Sequence, residues 1–135
     1  MAQNIKLSIV TPEKEVVSDD CQIVMAPGSV GEFGVLSGHT PFLTSLKIGA
    51  IRYTDGSGKE HMVFVSGGFA EVLPDKVTIL AESAESKEAI DANRAEAARD
   101  RAEKRIAEAG KDLDMIRAQA ALARAIQRLK IVSSL

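Results

Sequence analysis

The sequence predicts a two-part α+β chain: an N-terminal antiparallel β-sandwich of about ten strands, or a flattened barrel, residues 1–85, followed by a C-terminal antiparallel two-helix hairpin, residues 86–135. Up to Glu82, apolar residues alternate with polar ones in short runs, and turn residues recur at close spacing with no helical period between them. Residues 84–110 then contain no proline, only Ile90 and Ile106 as β-branched residues, and alanine throughout, which is strong helix propensity. The charge divides at the same place. Residues 1–85 hold 6 basic and 11 acidic side chains, residues 86–135 hold 11 and 8, so the two parts are suited to different partners.

Ile5, Leu7 and Ile9 alternate with Lys6 and Ser8 as a strand with one face buried, and Thr11-Pro12-Glu13 ends it. Val16 and Val17 lead to Ser18-Asp19-Asp20, a turn signal, and Cys21, Ile23 and Met25 form the apolar face of the next strand. The run from Gly28 to Pro41, GSVGEFGVLSGHTP, has apolar residues to bury at Val30, Phe33, Val35 and Leu36. Its glycines fit neither the dinucleotide nor the phosphate-loop spacing, so tight turns and bulges are the reading, with Thr40-Pro41 at a sheet edge or corner. Leu43, Leu46, Ile48 and Ile51 supply two extended pieces broken at Gly49. Asp55-Gly56-Ser57-Gly58 is a hairpin turn, Ser66-Gly67-Gly68 separates two further strands, and Pro74-Asp75 leads into the last one, Lys76 to Glu82.

In the helical part, Ser86 or Asp91 is a candidate N-cap, Gly110 a closing residue, and Gly110-Lys111 a short connection to a second helix from Asp112 to Val132. Ala95, Ala98, Ala102, Ile106 and Ala109 form one apolar stripe, and Met115, Ala118, Leu122, Ile126 and Leu129 the other. A seam in which five of the ten residues are alanine buries little area, so the hairpin is expected to open or detach at modest cost.

Composition excludes several function classes. Aromatic residues are scarce and there is no Trp, which argues against a stacking platform for nucleic acid. The single cysteine, Cys21, permits no internal disulfide, suits a reducing compartment, and reads as a small buried thiol rather than a nucleophile. His39 and His61 have no neighbours at metal-ligand spacing, and no nucleophile and orienting acid accompany them, so neither a metal site nor a hydrolase is indicated. No apolar run reaches the roughly 18 residues of a membrane span.

Arg117, Arg124, Arg128 and Lys130 follow Asp114, the last acid of the chain, and the three arginines share one helix face. Arg94 and Arg101 share a face of the first helix by the same spacing. These cations complement the helix macrodipole in solvent, form two guanidinium rows that receive phosphate or carboxylate groups, or belong to a membrane-surface helix, a reading weakened by the Trp and Phe missing from the helical part.

Five segments in combination carry a resemblance: SIVTPEKEVVSDD, GSVGEFGVLSGHTPFLTSLKIGAI, VSGGFAEVLPDKVTILAESAE, IDANRA and ARAIQRL. Nearly end to end, the chain resembles the epsilon subunit of bacterial F-type ATP synthases. The resemblance implies a ten-stranded sandwich with a helical hairpin and no catalysis of its own. It implies a place in the central rotor, where the sandwich grips the gamma subunit and the c-ring and the hairpin restrains ATP hydrolysis against the alpha and beta subunits. It further implies a peripheral location at the cytoplasmic face of the bacterial inner membrane, reached through the complex.

Residue by residue, Ile90, Asp91, Arg94 and Ala95 match the ATP-binding motif of some family members, and Glu85, Arg101, Arg124 and Arg128 fall where their other contacts are expected. ATP would thus be a regulatory ligand, with no required cofactor. Gly31, Glu32, Phe33, His39, Thr40 and Pro41 are candidates for contact with the c-ring and gamma, and Arg117, Arg124, Arg128 and Lys130 for inhibitory contact with the catalytic subunits. The competing reading is a free-standing ATP sensor, which would not co-purify with alpha, beta and gamma subunits.

Overall fold

The structure is a computed structural model describing residues 3–108 and 114–134. Its strands are β1 (Ile5–Val10), β2 (Glu15–Gly28), β3 (Gly31–Val35), β4 (Phe42–Asp55), β5 (Glu60–Leu73), β6 (Lys76–Ala81) and β7 (Ala84–Ser86). A single 3-10 turn (Lys87–Ala89) leads to α1 (Ala92–Ala107) and α2 (Met115–Ser133). Ala109, Gly110, Lys111 and Asp112, the expected connection and its borders, lie outside the described residues.

Neighbouring strands run β1-β6-β5-β4-β2, and β1 also pairs with β2, so five strands close into a flattened barrel while β3 and β7 extend from β2 and β5. Closure leaves none of these five with a free edge. The expected count of about ten antiparallel strands is therefore corrected to seven among the described residues, and one pairing, β1 with β6, is parallel. Three strands of 14 residues each account for the difference in number. Gly49 and Ser66-Gly67-Gly68 bend strands without ending them. At residues 66–68, β5 changes partners: Val63 to Val65 pair with β7, whereas Gly68 to Leu73 pair with β6.

Inside the barrel, Ile5, Leu7 and Ile9 of β1 meet Val24, Ala26, Ile51, Val63, Val65, Val72, Val77 and Ile79, all essentially inaccessible to solvent. The alternation expected from Cys21 through Ile23 to Met25 slips after its first member. A bulge between Cys21 and Ile23 inserts one residue, so Val24 and Ala26 point inward and Ile23 and Met25 are only half-buried. Val30 and Leu36, expected to be buried, are 99% and 58% exposed. Val30 stands at the two-residue tip of the β2–β3 hairpin, beyond the Gly28–Gly31 pair, and Leu36 lies just past the end of β3.

Asp55 organises the β4–β5 turn. One carboxylate oxygen accepts from the Ser57 amide at 2.9 Å, the Ser57 hydroxyl at 2.7 Å and the Lys59 amide at 3.0 Å, while the other accepts from His61 Nε2 at 2.7 Å. Those bonds, that from His61 foremost, hold its carboxyl well below the usual carboxylate range. A depressed folded-state pKa favours the fold above the ordinary value of about 4, and this contribution is lost as pH falls toward the folded value. Asp55→Asn is expected to lower the thermal midpoint at pH 7, with the gap from wild type narrowing steadily below about pH 4. A gap that widens on acidification would contradict the assignment.

The helices form an antiparallel pair, because one cleft is lined by Ala92, Glu96 and Arg99 from the start of α1 and by Ile126, Leu129, Val132 and Ser133 from the end of α2. Asp91 caps α1 by accepting from the Arg94 amide at 3.1 Å, and Asp114 caps α2 by accepting from the Arg117 amide at 3.1 Å. Ser86, the alternative cap, instead precedes the 3-10 turn and makes no side-chain capping bond. On α1, Ala95 and Ala102 of the expected stripe are buried and Ala98 and Ile106 half-buried, while Ala109 lies outside the described residues. On α2 it is rotated. Ala118, Ala125 and Ile131 are buried, whereas Ile126 is 42% exposed, because this helix faces both α1 and the outer wall of β4 and β5.

Candidate functional site: the cleft between helices and barrel

β5 alternates inward Val63 and Val65 with outward Met62 and Phe64, and the outward pair is the dock for α2. Phe64 belongs to no part of the barrel core, yet it is fully buried. Arg128 lies over its ring at 4.2 Å from the centroid and bonds Glu85 of β7 at 2.6 Å. Around this contact, Lys87 reaches the Ser134 carbonyl, the Ser134 hydroxyl touches Met62 Sδ at 3.0 Å, and the buried Ile131 borders one groove with Ile48 and Ala50. The second helix is thus held to the barrel by an ion pair, a cation–π contact and a buried phenyl ring, beyond the alanine seam legible in the sequence.

Next to this latch is a cavity of 570 Å³, within the size range of small-molecule sites. Four walls enclose it: the β1–β2 turn with Thr11, Glu13 and Lys14; residues 82–85; the α1 face with Asp91, Arg94, Ala95, Ala98 and Arg101; and Arg128 of α2. Of the eight residues expected to meet ATP, Glu85, Asp91, Arg94, Ala95, Arg101 and Arg128 line this one space. Ile90 and Arg124 do not. Ile90 is half-buried in the link before α1, and Arg124, one turn before Arg128, is also half-buried. Among the described residues Arg94 and Arg101 form no ion pair, which leaves two guanidinium groups available to an anion.

Two members of the basic row that follows the last acid of the chain find acidic partners upstream. Arg117 pairs with its own helix cap, Asp114, at 3.2 Å, and Arg128 pairs with Glu85, which is 43 residues away in sequence but adjacent in space. Lys130 is exposed and borders a groove with Lys47, Arg52 and Glu32.

The second candidate group lies at one end of the barrel. Phe33, Phe42 and His39 form an aromatic cluster with ring centroids 5.1 Å apart in each contact, and His39 Nδ1 donates to the Thr40 carbonyl at 2.8 Å. Gly31, Glu32, Thr40 and Pro41 are exposed around it, with Glu32 paired to Arg52 at 2.7 Å. Sequence reasoning missed the apolar surface here. Val30 and Leu43, the latter 70% exposed, border the same depression as Phe33 and Phe42. A second exposed apolar pair, Phe69 and Leu80, sits directly across β5 and β6. Exposed aliphatic and aromatic side chains in contiguous patches mark contact surfaces.

Other reactive side chains are occupied. Cys21 is buried and its thiol is pushed up to about 12, first by burial and then by the charges of Asp19, Asp20 and Asp55, so it remains protonated. Asp19, Asp55 and His61 bring ligand atoms within 4.8 Å of one another, but His61 already bonds Asp55, and Asp19 accepts from Tyr53 Oη at 3.4 Å. Among the described residues no helix is long and apolar enough to cross a membrane.

Comparison with known proteins gives the same two parts. The family described as "ATP synthase, Delta/Epsilon chain, beta-sandwich domain" matches residues 4–87, and "ATP synthase, Delta/Epsilon chain, long alpha-helix domain" matches residues 88–133. The chain is 63% identical over 134 residues to the ATP synthase epsilon chain of Desulforapulum autotrophicum, covering 99% of each. It is 57% identical to that of Syntrophobacter fumaroxidans over 97% of each. Its fold is similar to a chain of the Euglena gracilis mitochondrial ATP synthase with a TM-score of 0.81 at 23% identity, covering 94% of this chain and 80% of the other. A central-stalk and c-ring structure of the Tetrahymena thermophila enzyme contains a further match, at TM-score 0.62 and 16% identity over 98% of both chains. With a strand barrel at residues 4–87, paired helices at 88–133 and full-length relatives at this identity, the chain belongs to the ATP synthase epsilon chain family, a non-catalytic subunit of that enzyme.

Proposed function

We propose that this chain couples and regulates a rotary ATP synthase: residues 1–85 anchor it to the gamma subunit and the c-ring, and residues 86–135 form a movable brake on ATP hydrolysis. The observation that carries this reading is the dock of α2, where the Arg128–Glu85 pair over Phe64 is a discrete contact that can be made or broken as a unit. In the docked state described above the helices are stowed. Released, α2 would present Arg117, Arg124, Arg128 and Lys130 to acidic segments of the alpha and beta subunits.

Gly31, Glu32, Phe33, His39, Thr40 and Pro41, joined by Val30 and Leu43, form the proposed c-ring and gamma face, and the Phe69/Leu80 pair offers a second apolar face to the same anchor. The molecule would sit peripherally at the cytoplasmic face of the bacterial inner membrane, held by the complex.

ATP acts as the regulatory ligand in this reading. Bound only by the stowed helices, it favours them by RT ln(1 + [ATP]/Kd), a population shift requiring no chemistry from the subunit. Support comes from six of the eight expected residues meeting at one cavity with two unpaired guanidinium groups among the described residues. Ile90 and Arg124 belong to the proposed set as residues bordering that arrangement.

Removing every residue after Ser86 is expected to leave a folded barrel that assembles into the complex and raises its rate of ATP hydrolysis. The rate per complex, compared at equal subunit composition, is the test; an unchanged or lower rate contradicts the regulatory role.

A further inference from the structure

Lys14 lines the cavity with Arg94, Arg101 and Arg128 but comes from a different wall. The three arginines belong to helices, whereas Lys14 projects from the β1–β2 turn of the barrel. Its backbone there is fixed: the Thr11 amide donates to the Lys14 carbonyl at 2.9 Å, and the Lys14 amide donates to Thr11 Oγ1 at 3.3 Å. Among the described residues it forms no ion pair.

The acids of the cavity are Glu13, Glu82, Glu85 and Asp91. Glu85 is committed to Arg128, and Asp91 to the capping bond with the Arg94 amide. That bond takes up the Arg94 amide and sets a carboxylate at the start of α1, so side-chain cations are the stronger attraction for a polyanion in the cavity. On the barrel wall, Glu13 and Glu82 repel such an anion, and Lys14 is the one cation among the described lining residues of that wall.

We propose that Lys14 is a phosphate-binding residue of this cavity, closing on the polyphosphate tail of a nucleoside triphosphate from the barrel side while Arg94 and Arg101 hold it from α1. The inference rests on the nucleotide reading above and deepens it. The ligand becomes a bridge between the barrel turn and the first helix, so its binding adds a fastening to the stowed state beside the Arg128–Glu85 latch, which lines the same cavity. Lysine suits this position as a compact charge with three donors on a flexible stem, able to follow the outer phosphates.

Calorimetric titration of the full-length chain with ATP and with AMP tests it. Lys14→Gln is expected to weaken ATP about tenfold, as loss of one charge-assisted contact does, and to leave AMP within about twofold; Lys14→Arg is expected to retain ATP affinity. In the wild-type chain, ATP should also slow hydrogen exchange at the Thr11 and Lys14 amides, and in Lys14→Gln it should not. Equal ATP affinity of wild type and Lys14→Gln, with Arg94→Gln weakened, overturns the role of Lys14 and leaves the nucleotide site standing. No ATP binding to the wild-type chain at millimolar concentration overturns both.

Discussion

Gly68→Ala is expected to lower the thermal midpoint of the barrel on the order of 15 °C, corresponding to about 3 kcal/mol or more for a domain of this size. At this position β5 leaves β7 for β6, and the backbone adopts φ +136°. A Cβ there would lie 2.0 Å from the Leu80 carbonyl oxygen and 3.0 Å from the Ala81 Cα. Both obstacles are backbone in the adjacent strand, so relief requires breaking the β5–β6 ladder that closes the barrel. Gly38→Ala provides the comparison: its φ is +83°, but nothing lies within 4 Å of the added carbon. That change costs only the conformational term, about 1 kcal/mol. Thermal melts of the two variants separate steric from conformational cost, and a Gly68→Ala midpoint equal to that of Gly38→Ala contradicts the close approach.

Arg128→Glu is expected to release α2 from the barrel, shifting the docking equilibrium at least about thirtyfold, which corresponds to roughly 2 kcal/mol. The substitution removes the cation over Phe64 and sets two carboxylates against each other where a 2.6 Å pair stood. These side chains retain 25% and 34% of their accessibility, so solvent screening tempers the Coulomb part of the effect. The buried Phe64 ring makes release visible, since it is covered only while the helix is seated. Hydrogen exchange along α2 and energy transfer between labels on α2 and the barrel report the docked fraction. Glu85→Arg combined with Arg128→Glu is expected to recover part of it, because the reversed pair restores the attraction. Equal docking in wild type and Arg128→Glu, without nucleotide, contradicts the latch.

Much of this arrangement is visible in the residues. Period-two alternation in β1 gives its inward Ile5, Leu7 and Ile9, and the loss of proline with the rise of alanine marks the passage from strands to helices. Strand number is less accessible, since glycines at 49, 67 and 68 carry the same local signal whether a strand stops or bends. The parallel pairing of β1 with β6 joins residues some 70 positions apart and has no local signature. One inserted residue after Cys21 reverses the faces of Ile23 to Ala26, which alternation alone cannot reveal.

The same limit applies to the site. Spacing places Arg94 and Arg101 on one face of α1, but only the folded chain brings Glu85 to Arg128 and Lys14 to the cavity of the arginines. Phe64 reads as an ordinary strand residue until α2 covers its outward side. The stripe on α2 is displaced from the sequence reading because a helix packed on two surfaces buries the line between them, here Ala118, Ala125 and Ile131. Capping was more tractable: Asp91 starts α1 through a bond within three residues of itself, a contact that local sequence can encode.

In the proposed function, stowage of the helices permits hydrolysis and release of the helices restrains it. Cysteines at Met62→Cys and Ser134→Cys, where the native side chains touch at 3.0 Å, allow a short thiol-reactive linker to fix the end of α2 to the barrel. Cys21 is buried and remains protonated, so the linker is expected to leave it unmodified. In the assembled complex the linked subunit should give a higher rate of ATP hydrolysis than the same double variant left unlinked. Equal rates with and without the linker, at complete linkage, would contradict the claim.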